Sequence, residues 1–248
     1  IFICTYPKSG TTWIQYIVHQ LLGETQFHTP SYTVLNRVES LNGKLTNRYS
    51  AMLFISPTIE LMGAVYSDTI QTPRVLKSHF TFRDIPKGGG AKYTYACRNP
   101  KDVLTSYYHH HRNFKRFEFE HGDFNVFFDL FMDVNVMFGD YFEHLTSWLE
   151  GIETSQEQIL FLKYEDMIAV LKSSVVKIAN FIGGNVAELI RNEKQLSRIV
   201  NSSTVESMMK NQQRWFPKNT LARRPFIRKG GSRDWKTHFS NEQSEQMD

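Results

Sequence analysis

The chain has 248 residues, 41% of them hydrophobic and 14% aromatic, enough to fill the core of one large domain. A net charge of +4 and a pI near 8.9 suit an anionic small ligand and give little support to a nucleic-acid partner. No apolar run is long enough to cross a bilayer. The two cysteines, Cys4 and Cys97, are too few for a disulfide framework and read as buried free thiols of a reducing compartment.

The sequence opens at Ile1 without an initiator Met and inside a strand, so it is read as lacking an N-terminal segment, and its C-terminal end as well. The first strand, Ile1–Thr5, stops at Pro7. A tight turn, Lys8-Ser9-Gly10, follows, and then a helix over Thr12–Leu22 with Trp13, Tyr16, Ile17, Gln20 and Leu21 on one face. Strand, small-residue loop and helix form an anion cradle: backbone N–H groups and the helix dipole face the ligand. Lys8 adds a cation, and Ser9, Thr11 and Thr12 add hydroxyls. In a nucleoside-triphosphate loop the lysine follows the second glycine and a hydroxyl takes Mg²⁺. Here the lysine precedes the only glycine, so the loop is expected to hold one phosphate-like group without a metal. The plainer alternative is an ordinary strand-to-helix turn.

Thr29–Thr72 reads as an irregular, substrate-side cap containing Pro30 and Pro57. Further strands are expected at Arg74–Lys77, Tyr93–Arg98 and Gln158–Lys163. Helices are expected at Pro100–Asn113, Phe124–Phe138, Tyr141–Glu150, Met167–Ile182, Asn185–Val200 and Thr204–Asn211. Alternation of strand and helix predicts an α/β fold: a central, mostly parallel sheet flanked by helices, as one domain over residues 1–248. Ligands of such sheets bind beyond the carboxyl ends of the strands. Three predicted strand ends carry basic groups: Lys8, Lys77-Ser78-His79 and Arg98-Asn99. Beyond Gly183 no strand is expected, and Gln212–Lys236 is a long loop in which Arg223, Arg224, Arg228, Lys229, Arg233 and Lys236 face a single Asp234.

His79 follows a strand beside Lys77, and neighbouring cations favour its neutral, proton-accepting form. Asn99, Pro100 and Asp102 are accounted for by helix initiation. Arg98 is not, and it offers a planar fork to a phosphate. Ser106 either adds a hydroxyl to the same anion or is a solvated helix serine. His109-His110-His111 point in directions about 100° apart and make no coordination sphere by themselves, so no metal site is expected. Arg228-Lys229-Gly230-Gly231 is a basic loop whose glycines permit close approach to a second phosphate, or else a solvated charged loop.

In this order, T-Y-P-K-S-G-T-T-W (Thr5–Trp13), K-S-H (Lys77–His79), R-N-P-K-D-V-x-x-S-Y-Y (Arg98–Tyr108) and R-K-G-x-x-x-D-W-K (Arg228–Lys236) span nearly the whole chain. Together they resemble the cytosolic sulfotransferases, which use 3′-phosphoadenosine 5′-phosphosulfate (PAPS) and release adenosine 3′,5′-bisphosphate (PAP). The resemblance implies the P-loop-like sulfotransferase fold and a set of roles. Lys8, Ser9, Gly10, Thr11 and Thr12 would cradle the 5′-phosphosulfate. Trp13 and Tyr164 would lie by the adenine, with Ser203 nearby. Arg98, Ser106, Arg228, Lys229 and Gly230 would hold the 3′-phosphate. His79 would be the catalytic base, with Lys8 and Lys77 beside the transferred group.

Departures from the family pattern sit at Val205, where an aromatic is usual, and at Asn241, which replaces an apolar residue of a C-terminal dimer segment. The second predicts a monomer or a weak homodimer. For the acceptor, Phe80, Phe82, His110, Trp215 and Phe216 are candidate walls for a flat phenol or aryl amine, with core packing as the alternative for each. A cytoplasmic enzyme with a small-molecule acceptor, and no membrane or nucleic-acid partner, is expected. Two other readings are weighed. The K-S-H motif and the unpaired cysteines argue against a Golgi enzyme acting on glycans. Intact Lys8 and His79 argue against a non-catalytic nucleotide binder.

Overall fold

Four parallel strands form the centre of the molecule, in a computed structural model that describes residues 1–23, 59–70, 72–210 and 224–248. They are β1 (Phe2–Thr5), β2 (Leu76–Ser78), β3 (Tyr93–Cys97) and β4 (Ile159–Lys163), in the order β2-β1-β3-β4. The pairs Cys4↔Ser78, Thr5↔Ala96 and Cys97↔Lys163 align their carboxyl ends along one edge. The residues that follow, Pro7 and Lys8, His79, Arg98 and Tyr164, therefore emerge together. Ile3, Cys4, Tyr95 and Ala96 have no exposed surface, as expected of strands covered on both faces.

The helices are α1 (Thr11–Leu22), α2 (Ile59–Thr69), α3 (Pro100–Asn113), α4 (Phe124–Met132), α5 (Tyr141–Ser155), α6 (Tyr164–Ala169), α7 (Leu171–Ile182), α8 (Gly184–Leu189), α9 (Glu193–Ser202), α10 (Val205–Lys210) and α11 (Asn241–Gln246). One face of the sheet is covered by α1 and α7, whose Ile14, Ile17, Val175 and Ile178 are fully buried in one cluster. On the other side Tyr95 stacks on Trp148 of α5 at 4.8 Å. A third, aromatic cluster gathers Tyr6, Tyr107, Phe127, Phe131 and Tyr141. It pins the loop after β1, because the Tyr6 hydroxyl donates to the Gly139 carbonyl at 2.8 Å.

Local chemistry sets the helix ends. Asn99 caps α3 by accepting from the Lys101 N–H, with Pro100 at its first position. The expected helix over Phe124–Phe138 ends at Met132 instead, since Val134 and Phe138 take left-handed backbone angles of 61° and 74°. The helix expected to end at Glu150 continues to Ser155 through Gly151, where a Cβ would lie 2.4 Å from the Phe82 ring. Met167–Ile182 is two helices, parted at Val170 (φ −141°). Asn185–Val200 is likewise divided, between α8 and α9, and α9 starts at the Asn192 cap. The proposed cap Thr29–Thr72 falls largely, and Trp215, Phe216 and Arg223 fall wholly, outside the described residues.

Candidate active site

The edge where the strands end opens into a cavity of about 1140 Å³. Its walls bring together Lys8, Gly10, Thr11, Thr12, Trp13, Lys77, His79, Arg98, Ser106, His110, Tyr164, Arg228, Lys229 and Gly230. These come from every part of the sheet edge and from the basic loop near the C-terminus. Ser9 and Ser203 are fully buried and do not line the cavity, and the Ser203 carbonyl accepts from Trp13 Nε1–H at 2.7 Å. Phe80 and Phe82 do not line it either. They pack beside Trp148, where Gly151 of α5 leaves room for the Phe82 ring.

The loop after β1 is shaped for an anion. Lys8 has a left-handed φ of 72° and Gly10 one of 97°, and Gly10 supplies no side chain to cap α1. The N–H groups of the first turn therefore have no capping side chain, and the residues of that turn, Thr11, Thr12 and Trp13, line the cavity. A Cβ on Gly10 would lie 2.9 Å from Tyr164 Cδ2, so glycine is required there for space as well as angle. Opposite, Gly230 (φ 65°) lies so close to Val205 that a Cβ would be 2.3 Å from its Cγ1. The Thr5 and Thr11 hydroxyls share a 2.6 Å hydrogen bond that fixes the loop to the helix.

Arg98 is the junction of the two loops. Its guanidinium donates from Nη1 to the Lys8 carbonyl and from Nη2 to the Gly231 carbonyl, both at 3.0 Å, and stacks on the Tyr164 ring at 4.4 Å. Asp102 does more than open α3. Its carboxylate accepts from the Arg233 and Trp235 N–H groups at 2.7 and 3.1 Å and so holds the basic loop in place. Arg228 and Lys229 are paired with Asp234, the latter contact at 2.5 Å.

Charge is heavily unbalanced: among the described residues the cavity is lined by nine lysines and arginines and three carboxylates, Glu60, Glu120 and Asp234. Burial, and then the charges of Arg98 and Arg228, lower the Lys8 pKa to about 7. Burial lowers Lys77 to about 8, against the opposing pull of Glu60. His79 is lowered to about 4, chiefly by burial, with Lys77 and Lys8 contributing. His110, with Nδ1 3.4 Å from Lys8 Nζ, is pushed well below its ordinary value by burial and then by Lys8. A site that holds its own cations so reluctantly is built to receive negative charge.

His79 is held at three points. Its backbone N–H and the Ser78 hydroxyl both donate to Glu60 Oε1, the latter at 2.8 Å. Its Nδ1 lies 2.7 Å from the Thr5 carbonyl, so the N–H is on Nδ1 and Nε2 keeps its lone pair. Its ring meets Phe138 edge-on at 4.9 Å. Glu60, Met137, Phe138, Phe117 and Phe226 are cavity residues that sequence reasoning missed. Gly139, at φ 71°, was the available sign that Met137 and Phe138 belong to a loop and not to a helix.

Residues 1–248 match the sulfotransferase domain family, and the chain belongs to it. The reaction of that family is PAPS-dependent sulfuryl transfer, and the protein is an enzyme of this class. It is 31% identical to rat sulfotransferase 1C2 over 256 residues, covering 100% of this chain and 80% of that protein. It is 32% identical to rabbit amine sulfotransferase, covering 78% of it, and 28% identical to flavonol 3-sulfotransferase of Flaveria bidentis, covering 79%. In fold it is similar to mouse sulfotransferase SULT7A1, crystallised with PAP, at a TM-score of 0.72 and 23% identity over 99% of this chain and 80% of that one. Retinol dehydratase, with androsterone and PAP, gives 0.69 and 23% over 99% and 77%.

Proposed function

We propose that this sulfotransferase moves the sulfuryl group of PAPS in line onto the hydroxyl or amine of a small aromatic acceptor, with His79 as general base. The observation that carries the reading is the fixed tautomer of His79, which leaves a lone pair on Nε2 of a residue that lines the same cavity as Lys8 and Lys77.

The residues fit the donor. The cation excess suits a ligand with two anionic ends, and Arg98 Nε is a buried donor without a partner. Lys8 and the first turn of α1 would take the 5′ end, and Arg98, Ser106, Arg228, Lys229 and the Gly230 backbone the 3′-phosphate. Trp13 and Tyr164, whose rings meet at 5.5 Å, would flank the adenine. When bound, PAPS supplies the sulfuryl group and leaves as PAP, the product seen in the mouse neighbour.

The chain's own part is proton and charge handling. His79, neutral at pH 7, takes the acceptor proton at Nε2, while Nδ1–H stays on the Thr5 carbonyl. Lys8 and Lys77, which line the same cavity, would meet negative charge as it moves toward the leaving group. The acceptor would lie among His110, Phe117, Met137, Phe138 and Phe226, whose rings suit a flat molecule. Trp215 and Phe216 remain candidates for the same wall.

The one-domain assignment is supported by a family match over 1–248. No helix among the described residues is long and apolar enough to cross a membrane, and a cytoplasmic location is kept as part of the proposal. For assembly we keep the monomer or weak dimer. The test of the central reading is transfer from labelled PAPS to a panel of phenols, catecholamines, steroids and alcohols, with His79→Gln beside the wild type. Transfer to none of them, or full activity in His79→Gln, would overturn it.

A further inference from the structure

The three consecutive histidines of α3 diverge, and one of them meets the C-terminal segment. His109 Nε2 lies 3.1 Å from His238 Nε2. Asp234 completes the group: one ligand atom each from His109, Asp234 and His238 lie within 4.8 Å of one another, and all three side chains are half-buried. We propose that they form a site for a borderline divalent transition metal, represented by Zn²⁺, at the edge of the cavity and outside the sulfuryl-transfer chemistry.

Four features carry this. First, Zn–N bonds of about 2.0–2.1 Å place neighbouring ligands of a tetrahedron about 3.3 Å apart, close to the observed His–His separation. Second, the tautomer of His238 is already set. Thr237 Oγ1–H donates to the Asp234 carbonyl at 2.8 Å, so Oγ1 accepts from His238 Nδ1–H at 2.8 Å. Nε2 of His238 thus carries the lone pair a metal needs, with its ring oriented by a hydrogen-bonded partner. Third, two nitrogens and one carboxylate select zinc-like ions over Mg²⁺ and Ca²⁺, which take oxygen sets. Fourth, the half-buried setting leaves access for the ion and for a water in the fourth position.

Asp234 is contested. Lys229 Nζ sits 2.5 Å from its Oδ1, and Arg228 holds Oδ2. Both carboxylate oxygens are thus already engaged, so to ligate a metal Asp234 must turn toward the imidazoles and leave these cations. The metal and the two basic side chains therefore compete for one carboxylate. In the metal-free protein His109 donates Nε2–H to His238. On binding, His109 changes tautomer: Nε2 gives its proton to solvent as Nδ1 takes one up, so the ring stays neutral and its Nε2 can ligate.

The test is titration of the metal-free full chain with Zn²⁺ by calorimetry and with Co²⁺ by visible absorption. One equivalent is expected, with the ligand-field bands of a four- or five-coordinate nitrogen–oxygen site. His109→Gln and His238→Gln should each weaken binding at least tenfold. Thr237→Val should weaken it by about 10–100-fold through loss of orientation. Lys229→Ala should tighten it severalfold by removing a competitor, an effect that an unrelated surface histidine would not show. Circular dichroism verifies folding, and if either histidine variant fails to fold, Thr237→Val and Lys229→Ala decide. No stoichiometric binding, or binding unchanged by both of those variants, overturns the site.

Discussion

Lys8 makes nucleotide affinity depend on pH in a way that can be worked out. In the free protein its pKa is lowered from 10.5 to about 7 by burial and by Arg98 and Arg228. A phosphate in contact with it restores a high pKa, so above pH 7 binding takes up a proton and affinity falls as pH rises. The protonated fraction of free Lys8 drops from about one half at pH 7 to about 1% at pH 9, so PAP binding should weaken about 50-fold over that interval, with a slope approaching tenfold per pH unit. The ligand's own phosphates, with a second pKa of about 6, are ionised throughout this range and do not imitate the effect. Lys77, lowered to about 8, would steepen the fall if it also reaches the ligand. Calorimetry in two buffers of different ionisation enthalpy measures affinity and proton uptake together. Lys8→Met should bind weakly with the Lys8 slope gone, and Lys8→Arg, which cannot lose its charge, should bind with a flattened profile. A wild-type affinity that is level from pH 7 to 9, or a slope that survives in Lys8→Met, would refute the reasoning.

His79→Ala should lower kcat by about 10²–10⁴ while PAP affinity stays within a few-fold, as steady-state rates and calorimetry would show. Arg228→Ala should cost PAP about 1.5–3 kcal/mol and leave AMP almost unaffected, which a pair of binding isotherms resolves. Gly10→Ala meets both a left-handed φ of 97° and the Tyr164 ring, so donor KM should rise and the melting temperature fall together. Phe138→Ala opens the wall over His79. It should raise acceptor KM more than donor KM, and equal changes in the two would remove Phe138 from the acceptor side.

The legible parts of the sequence are those in which one local rule decides. Strands read as short apolar runs, and three of the four predicted strands fall within one residue of their observed bounds because burial on both faces leaves little choice of residue. Leu76–Ser78, by contrast, is shorter than expected at its start and longer at its end. The Lys8-to-Trp13 turn and the Asn99-Pro100 start of α3 were legible from cap and turn chemistry. What escaped were outcomes of tertiary packing. Left-handed angles at Val134 and Phe138 cannot be read from residues that normally avoid them, so the loop that places Phe138 against His79 looked helical. The break at Val170 carries no Gly or Pro to mark it. Phe82 and Phe138 are equally apolar in the sequence, yet Gly151 on α5 makes room for Phe82 beside Trp148, away from the cavity. Glu60 was invisible because its contacts, the Ser78 hydroxyl and the His79 N–H, lie across the fold.

The fork of Arg98 ties the backbone at Lys8 to that at Gly231, and those residues lie 223 positions apart in the chain. Folding, not ligand arrival, thereby bears the entropy of ordering these two segments. Each immobilised side chain would otherwise subtract about 0.5–1.5 kcal/mol from binding. A ligand bridging the two loops meets a mould already set. One that touches a single loop gains nothing from the other's order, so the tether rewards molecules long enough to reach both ends.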